Sequence, residues 1–328
     1  MPTSDVPTLT VWASDRFADH APPPGTNANH PERPERIRAV NVALRGLAVP
    51  IVEPITPADD ATLRLVHPQA YVDHVAAVGR RGGYVDGGET YANGESDAVA
   101  RLSVAAGIEA ADAVLDGRTR RAFVACRPPG HHALADEAMG FCLYATVAIV
   151  ARHLRERRGV ERVAIVDFAV HHGNGTQAIF YDDPSVLTIS THEDPATLWP
   201  GSGFEHESGE GDGEGFAMNL PLPAGSGDDA FLARLRDEAL PKVREFQPDV
   251  LLVSAGFDAA AADPLAHLQW TDAAYEAVGC DLATLADDVC DGRLIALLEG
   301  GYDLDALASG VAAFLRGLTS PHGEAADR

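Results

Sequence analysis

Residues 166–176 read Val-Asp-Phe-Ala-Val-His-His-Gly-Asn-Gly-Thr. The apolar run from Val163 to Val166 breaks off here into polar side chains that a buried strand cannot hold without partners, so the stretch reads as a strand delivering a site. Period-two alternation puts Asp167, Ala169 and His171 on one face, with Phe168 and Val170 packing on the other. An Asp-x-His pair on such a face chelates one metal ion. At position 169 that face carries a methyl group instead of a carboxylate.

Outward from this strand the pattern is regular from residue 120 onward. Apolar strands are expected at Ala122–Cys126, Val163–Asp167, Val186–Ser190, Val250–Ser254 and Leu294–Leu298. Helices are expected at Ala145–Arg158, Gly175–Tyr181, Asp228–Phe246, Asp272–Asp288 and Leu304–Leu315. That alternation predicts an α/β fold: one mostly parallel sheet with helices on both faces. Before it come a strand at Leu9–Ala13, a Pro- and Gly-rich loop through Asp15 and His30, and a helix opened by His30-Pro-Glu-Arg-Pro-Glu-Arg36 with the apolar stripe Ile37, Val40, Leu44. Helical segments follow at Pro68–Val78 and Ser96–Leu115, separated by a Gly-rich loop from Gly82 to Gly94.

Each predicted strand of the regular half ends in a polar motif: Arg-Pro-Pro-Gly-His-His-Ala after Cys126, the opening stretch after Val166, Ser190 and His192 after Ile189, Ala-Gly-Phe-Asp after Ser254, and Glu-Gly-Gly-Tyr-Asp after Leu298. Ligands of open α/β sheets bind outside the carboxyl ends of strands, so five such ends describe one pocket.

Within it, His171 and Asp258 are the metal candidates. Asp258 alone would read as a turn or cap residue; paired with a histidine from another strand end it reads as a ligand. Catalytic zinc takes three protein ligands and a water, and Ala169 stands where the third would be. His131 and His132 are candidates for acid–base work, with Asp167 and Asn174 as the partners that fix an imidazole tautomer; the bland reading is a pair of surface histidines. His172 is assigned to structure, since alternation points it away from His171. Tyr302 is either a packed aromatic or a phenol donor to an oxyanion. Phe141 and Trp199 are either core or the walls of an apolar tunnel. The run Gly209–Gly215 carries three carboxylates and no following Lys, which excludes a phosphate loop and leaves a flexible acidic surface loop. No nucleophile elbow or Walker sequence is present.

Composition bounds the function further. The chain has 328 residues and a formal charge of −24, with Lys242 its one lysine among 25 basic residues. Such a field repels nucleic-acid phosphates and attracts a cationic substrate; a salt-adapted surface and a GC-rich genome account for the composition equally well. A single domain over 1–328 is expected. No apolar run approaches a membrane span, the N-terminus has no secretion signal, and four cysteines without CxxC spacing read as reduced thiols, so a cytoplasmic protein is expected.

The motifs Arg127-Pro-Pro-Gly-His-His-Ala133, Gly140-Phe-Cys142, Asp167-x-x-x-His-His-Gly-Asn-Gly-Thr176, Gly256-Phe-Asp258 and Glu299-Gly-Gly-Tyr-Asp303, together with residues 30–36, occur in order. In this combination the chain resembles the histone deacetylase superfamily, nearest its class II-like bacterial and archaeal members and the acetylpolyamine amidohydrolases. The resemblance covers nearly the whole chain. It implies the arginase-like sheet and a zinc-dependent amidohydrolase that releases acetate from an acetylated amine, such as acetyl-lysine or acetylpolyamine. Zinc would be held by His171, Asp258 and the residue at 169; His131 and His132 would handle protons, with Asp167 and Asn174 behind them, and Tyr302 would donate to the oxyanion. Phe141, Trp199, Gly140 and Gly301 would line the acyl tunnel, with Leu265 near its mouth. Structural potassium is implied at Asp167, His171, Ser190 and Thr191, with a second site at Phe180, Asp183 and Val186.

Two departures stand out. The family carries two asparagines where this chain has Ala145 and Thr146, a change expected to affect packing. It carries a zinc-binding Asp where this chain has Ala169, so zinc binding and water activation are expected to be weakened and the chain impaired or inactive. Three explanations stay open: a deliberate inactivating Asp→Ala change, a natural pseudoenzyme, or substitution by another carboxylate. A single recent change fits best, because every other site residue remains. A non-catalytic binder of acetylated ligands is the alternative function, and a manganese hydrolase of the arginase type ranks below both. The acylated substrate has no readable code, and a homo-oligomer is left open.

Overall fold

The computed structural model describes residues 6–27 and 29–320; Met1–Asp5 of the polar N-terminus lie outside them. Strands β1 (Leu9–Ala13), β2 (Ile51–Val52), β5 (Arg121–Ala125), β6 (Val163–Asp167), β7 (Val186–Glu193), β8 (Ala217–Leu222), β9 (Val250–Ala255) and β10 (Leu294–Leu298) form one sheet. Its order is β2-β1-β5-β10-β9-β6-β7-β8, and every neighbouring pair is parallel. A two-stranded antiparallel ribbon, β3 (Gly83–Tyr84) with β4 (Tyr91–Ala92), sits inside the stretch read as a loop.

The helices are α1 (Pro34–Leu44), α2 (Asp60–Leu63), α3 (Gln69–Arg81), α4 (Ser96–Leu115), α5 (Thr146–Arg158), α6 (Asn174–Ile179), α7 (Asp228–Arg234), α8 (Leu240–Phe246), α9 (Asp272–Cys290) and α10 (Leu304–Thr319). α1, α9 and α10 pack together on one face of the sheet, and α4 and α5 on the other. Every residue of β5, β6, β9 and β10 is therefore buried, which is why these strands read as unbroken apolar runs. The predicted α/β architecture is what forms.

Three elements depart from expectation. The helix expected over Asp228–Phe246 is interrupted by one π turn at Leu235–Ala239, just before Pro241, whose ring nitrogen cannot donate to the ladder. β7 runs to Glu193, so Ser190 and His192 are still paired in the sheet, opposite Asn219 and Pro221 of β8. The Gly209–Gly215 run is tethered: the Glu210 N–H donates to the Tyr181 carbonyl at 2.9 Å, and Gly213 is buried against Tyr181 and Asp182.

Four consecutive strands of the sheet, β5, β10, β9 and β6, bring their carboxyl ends side by side. Beneath those ends lies an aromatic cluster. Phe168 meets Phe257 at 5.9 Å and Phe314 at 5.3 Å between ring centroids, and Phe257 meets Tyr275 at 5.0 Å. Phe168 and Phe257 immediately precede Ala169 and Asp258, so each anchors the backbone of a strand-end segment while the next residue turns toward the site.

Candidate active site

A cleft of about 190 Å³ opens at these strand ends, lined by Glu89, His132, Gly140, Phe141, His171, Leu198, Trp199, Leu265 and Tyr302. His132, Gly140 and Phe141 follow β5, His171 follows β6, Leu265 follows β9 and Tyr302 follows β10. The fifth end, after β7, contributes Leu198 and Trp199. Ser190 and His192, expected there, stay beneath: His192 pairs with Ser190 Oγ at 2.9 Å and with the Gly203 carbonyl at 2.9 Å. Gly301 is absent from the lining; its carbonyl accepts instead from Arg36 Nε.

β6 ends at Asp167, and the residues after it do not continue as one extended face. Asp167 Oδ2 accepts from His131 Nδ1 at 2.8 Å, Ala169 is fully buried, and His171 Nδ1 meets Asp258 Oδ2 at 3.2 Å. The expected Asp167/His171 face thus divides between two partners. A Cβ on Gly256 would come within 2.3 Å of the Ala169 Cβ, and one on Gly300 within 2.0 Å of Asp258 Oδ2, so both glycines are required where the segments close on Asp258. His172 turns away, bonding Ser202 Oγ and Gln177 Oε1.

The two tandem histidines differ in charge. Burial alone would lower the pKa of His131, but the Asp167 and Glu299 carboxylates raise it to about 9, so it holds its proton at neutral pH. His132 is held well below the ordinary imidazole value by burial, then by the neighbouring His131 and His171. Its Nδ1 lies 2.8 Å from Asn174 Oδ1, an acceptor, so the neutral ring carries its proton there and leaves Nε2 with a free lone pair. The ring centroids of His131 and His132 are 3.9 Å apart, and Trp199 packs edge-on to His132 at 4.7 Å. Burial raises the Tyr302 phenol well above its usual range, keeping it a proton donor; Phe141 meets its ring edge at 5.8 Å.

Three residues quoted within the sequence motifs without a role, Glu299, Arg36 and Glu32, are tied to the site. Glu299 is 1% exposed, and its Oε2 accepts the N–H groups of Gly130 at 2.6 Å and His131 at 3.1 Å, with burial raising its carboxyl to about 7. Glu299 directly follows an apolar strand, the same signal that singled out Asp167. Arg36 lies over the Tyr302 ring at 4.9 Å. Behind it Glu32, fully buried, accepts from Arg36 and Arg127. Burial would raise its carboxyl, but Arg127 holds it well below the carboxylate range.

The donor set does not fit a three-ligand metal. His171 and Asp258 converge, the Ala169 methyl donates nothing, and among the described residues no third His, Cys, Asp or Glu joins them. Of the residues read as potassium-binding, Asp167, Ser190 and Thr191 lie together, with Thr191 Oγ1 donating to the Asp167 carbonyl at 3.4 Å. Phe180, Asp183 and Val186 share one turn. There the Asp183 carboxylate takes Arg152 Nη1 at 2.7 Å and the same guanidinium lies 4.7 Å over the Phe180 ring, so the turn's charge is met by an arginine. Ala145 donates its N–H to His67 Nε2 at 3.0 Å, and Thr146 opens α5, both side chains buried. No helix of the described residues is long and apolar enough to cross a membrane.

Comparison with known proteins places this geometry. The Histone deacetylase domain matches residues 30–318. A "Probable deacetylase" of Methanothermobacter thermautotrophicus is 43% identical over 293 residues, covering 88% of this chain and 86% of that one. The "Histone deacetylase-like amidohydrolase" of Pseudomonas aeruginosa is 40% identical over 282 residues, covering 85% and 74%. The crystal structure of the HDA15 HD domain superposes with a TM-score of 0.87 at 33% identity, covering 95% of this chain and 89% of that one.

Proposed function

This chain belongs to the histone deacetylase family, and we propose that its cleft takes an acetylated amine in the manner of a zinc-dependent amidohydrolase, with turnover suppressed by Ala169. The observation that carries the reading is the meeting, at one cleft, of a neutral His132, the Tyr302 phenol and the Phe141/Trp199 walls, with a charged His131 buried behind His132 and a donor pair one ligand short beside them.

The chain's own residues define what it does. Phe141, Trp199 and Leu265 exclude water around an aliphatic stem. His132 Nε2 is the base, and Tyr302 donates to oxygen on which negative charge develops. His131, held cationic by Asp167, stabilises that same charge from behind. What is lacking is polarisation of the amide carbonyl and activation of water, the capacities a three-ligand zinc supplies. A second reading, a binder of acetylated ligands that does not turn them over, follows from the same missing carboxylate at position 169.

The test is Ala169→Asp, loaded with zinc and screened by mass spectrometry against acetyl-lysine peptides and acetylpolyamines. Release of acetate and free amine, absent from the chain as it stands, is expected. Inactivity on every acetylated amine overturns the enzymatic reading and leaves the binder.

A further inference from the structure

Asp263 has no part in the chemistry described so far. It is 7% exposed and lies in the segment after β9, five residues beyond Asp258. Its carboxylate is shared between two strand-end segments. Oδ1 accepts the Leu265 N–H at 3.0 Å, and Oδ2 accepts the Tyr302 N–H at 2.7 Å and, more distantly, the Asp303 N–H at 3.4 Å. Leu265 and Tyr302 are both cleft residues, one at its mouth and one at its reacting end.

Burying a carboxylate is costly, and burial together with the neighbouring Asp258 lifts this one to about 6. Helix capping does not require it, because Asp303 caps α10 through Oδ1, which accepts from the N–H groups of Asp305 and Ala306. Tyr302 is meanwhile restrained from its other side, where Arg36 Nε donates to the Gly301 carbonyl and the guanidinium lies over the phenol ring. Among the described residues, Asp263 is the side chain that holds the Tyr302 N–H, and it joins that segment to the one carrying Leu265.

We propose that Asp263 is a positioning residue: it fixes the backbone of Tyr302 so that the phenol stands at the amide oxygen, and locks Leu265 at the distance that suits the same substrate. The inference rests on reading the cleft as amide-hydrolysing. A displaced donor costs rate steeply, so the effect reads in kcat.

In zinc-loaded Ala169→Asp protein, Asp263→Ala is expected to lower kcat about 10- to 100-fold, because neither segment keeps its acceptor. In an Ala169→Asp, Tyr302→Phe background the same change is expected to lower kcat less than about twofold, since the group it positions is gone. An equal loss in both backgrounds, or no loss in the first, overturns the proposal. Amide exchange on the chain as it stands gives a readout free of activity. Asp263→Ala should speed exchange of the Tyr302 N–H about tenfold or more while β9 and β10 keep their protection; unchanged exchange also overturns it. A silent Ala169→Asp enzyme together with faster Tyr302 exchange removes the functional reading and leaves the clasp standing.

Discussion

His67 shows how burial makes one residue sensitive to protons. Nδ1 donates to the Ala135 carbonyl at 2.8 Å and Nε2 accepts the Ala145 N–H at 3.0 Å, so the ring must stay neutral. Burial, only partly offset by Ala135, lowers its pKa to about 4. A depressed pKa contributes stability that is fully present above the unfolded value of 6.5 and is lost as pH falls through the folded one. For His67 that amounts to about 3 kcal/mol. Urea unfolding at pH 7 and pH 4 should therefore show a smaller fall in stability for His67→Gln than for the parent chain; equal falls would refute the assignment. His172 and His192, lowered mainly by burial to about 4 and about 3, act in the same window in both proteins and cancel in the comparison. At this scale the sequence revealed residues whose polarity conflicts with their apolar surroundings, such as Asp167 and the tandem histidines. It concealed Asp263, which holds a backbone N–H 39 residues away, and the roles of Arg36 and Glu32 within their motif, which depend on contacts to Gly301 and Arg127.

The elements place the site by adjacency. β5, β10, β9 and β6 are neighbours in space although not in sequence, so parallel pairing, about 4.8 Å from strand to strand, sets His131, Tyr302, Asp258 and His171 within reach of one another. Strands buried on both faces were readable because they have no polar side. β2 escaped notice because it is two exposed residues, and β8 because its sequence, Ala-Met-Asn-Leu-Pro-Leu, carries Asn and Pro and forms the sheet's edge. The order of the strands was not readable either, since periodicity reports a strand's faces and not its neighbours. What holds the ends level is the aromatic layer beneath them. Phe168→Ala, at a site with no exposure and three aromatic neighbours, should cost about 3–5 kcal/mol of stability, measured by denaturant unfolding. A loss below about 1 kcal/mol would mean that the segment carrying Ala169 is anchored elsewhere.

Across the whole molecule, the family resemblance in the motifs and the fold agree, and the departure that bears on the chemistry is the methyl group at position 169. The sheet brings His132, the phenol and the aromatic walls to one cleft, and each tandem histidine has its expected partner, Asp167 or Asn174. The acidic surface, with its formal charge of −24, favours cationic partners without selecting one. His171 Nδ1 and Asp258 Oδ2 lie 3.2 Å apart, a separation that two ligands of one tetrahedral ion also have. Losing even an outer partner of a metal ligand weakens binding 10- to 100-fold, so loss of a ligand should weaken it at least about 100-fold. Zinc affinity, measured by competition with a chromophoric chelator on the parent chain and on Ala169→Asp, tests this directly. One zinc bound per chain in Ala169→Asp, with a Kd at least about 100-fold below the parent's, is the predicted result. Equal affinities in the two proteins would contradict it, because position 169 would then face no metal at all.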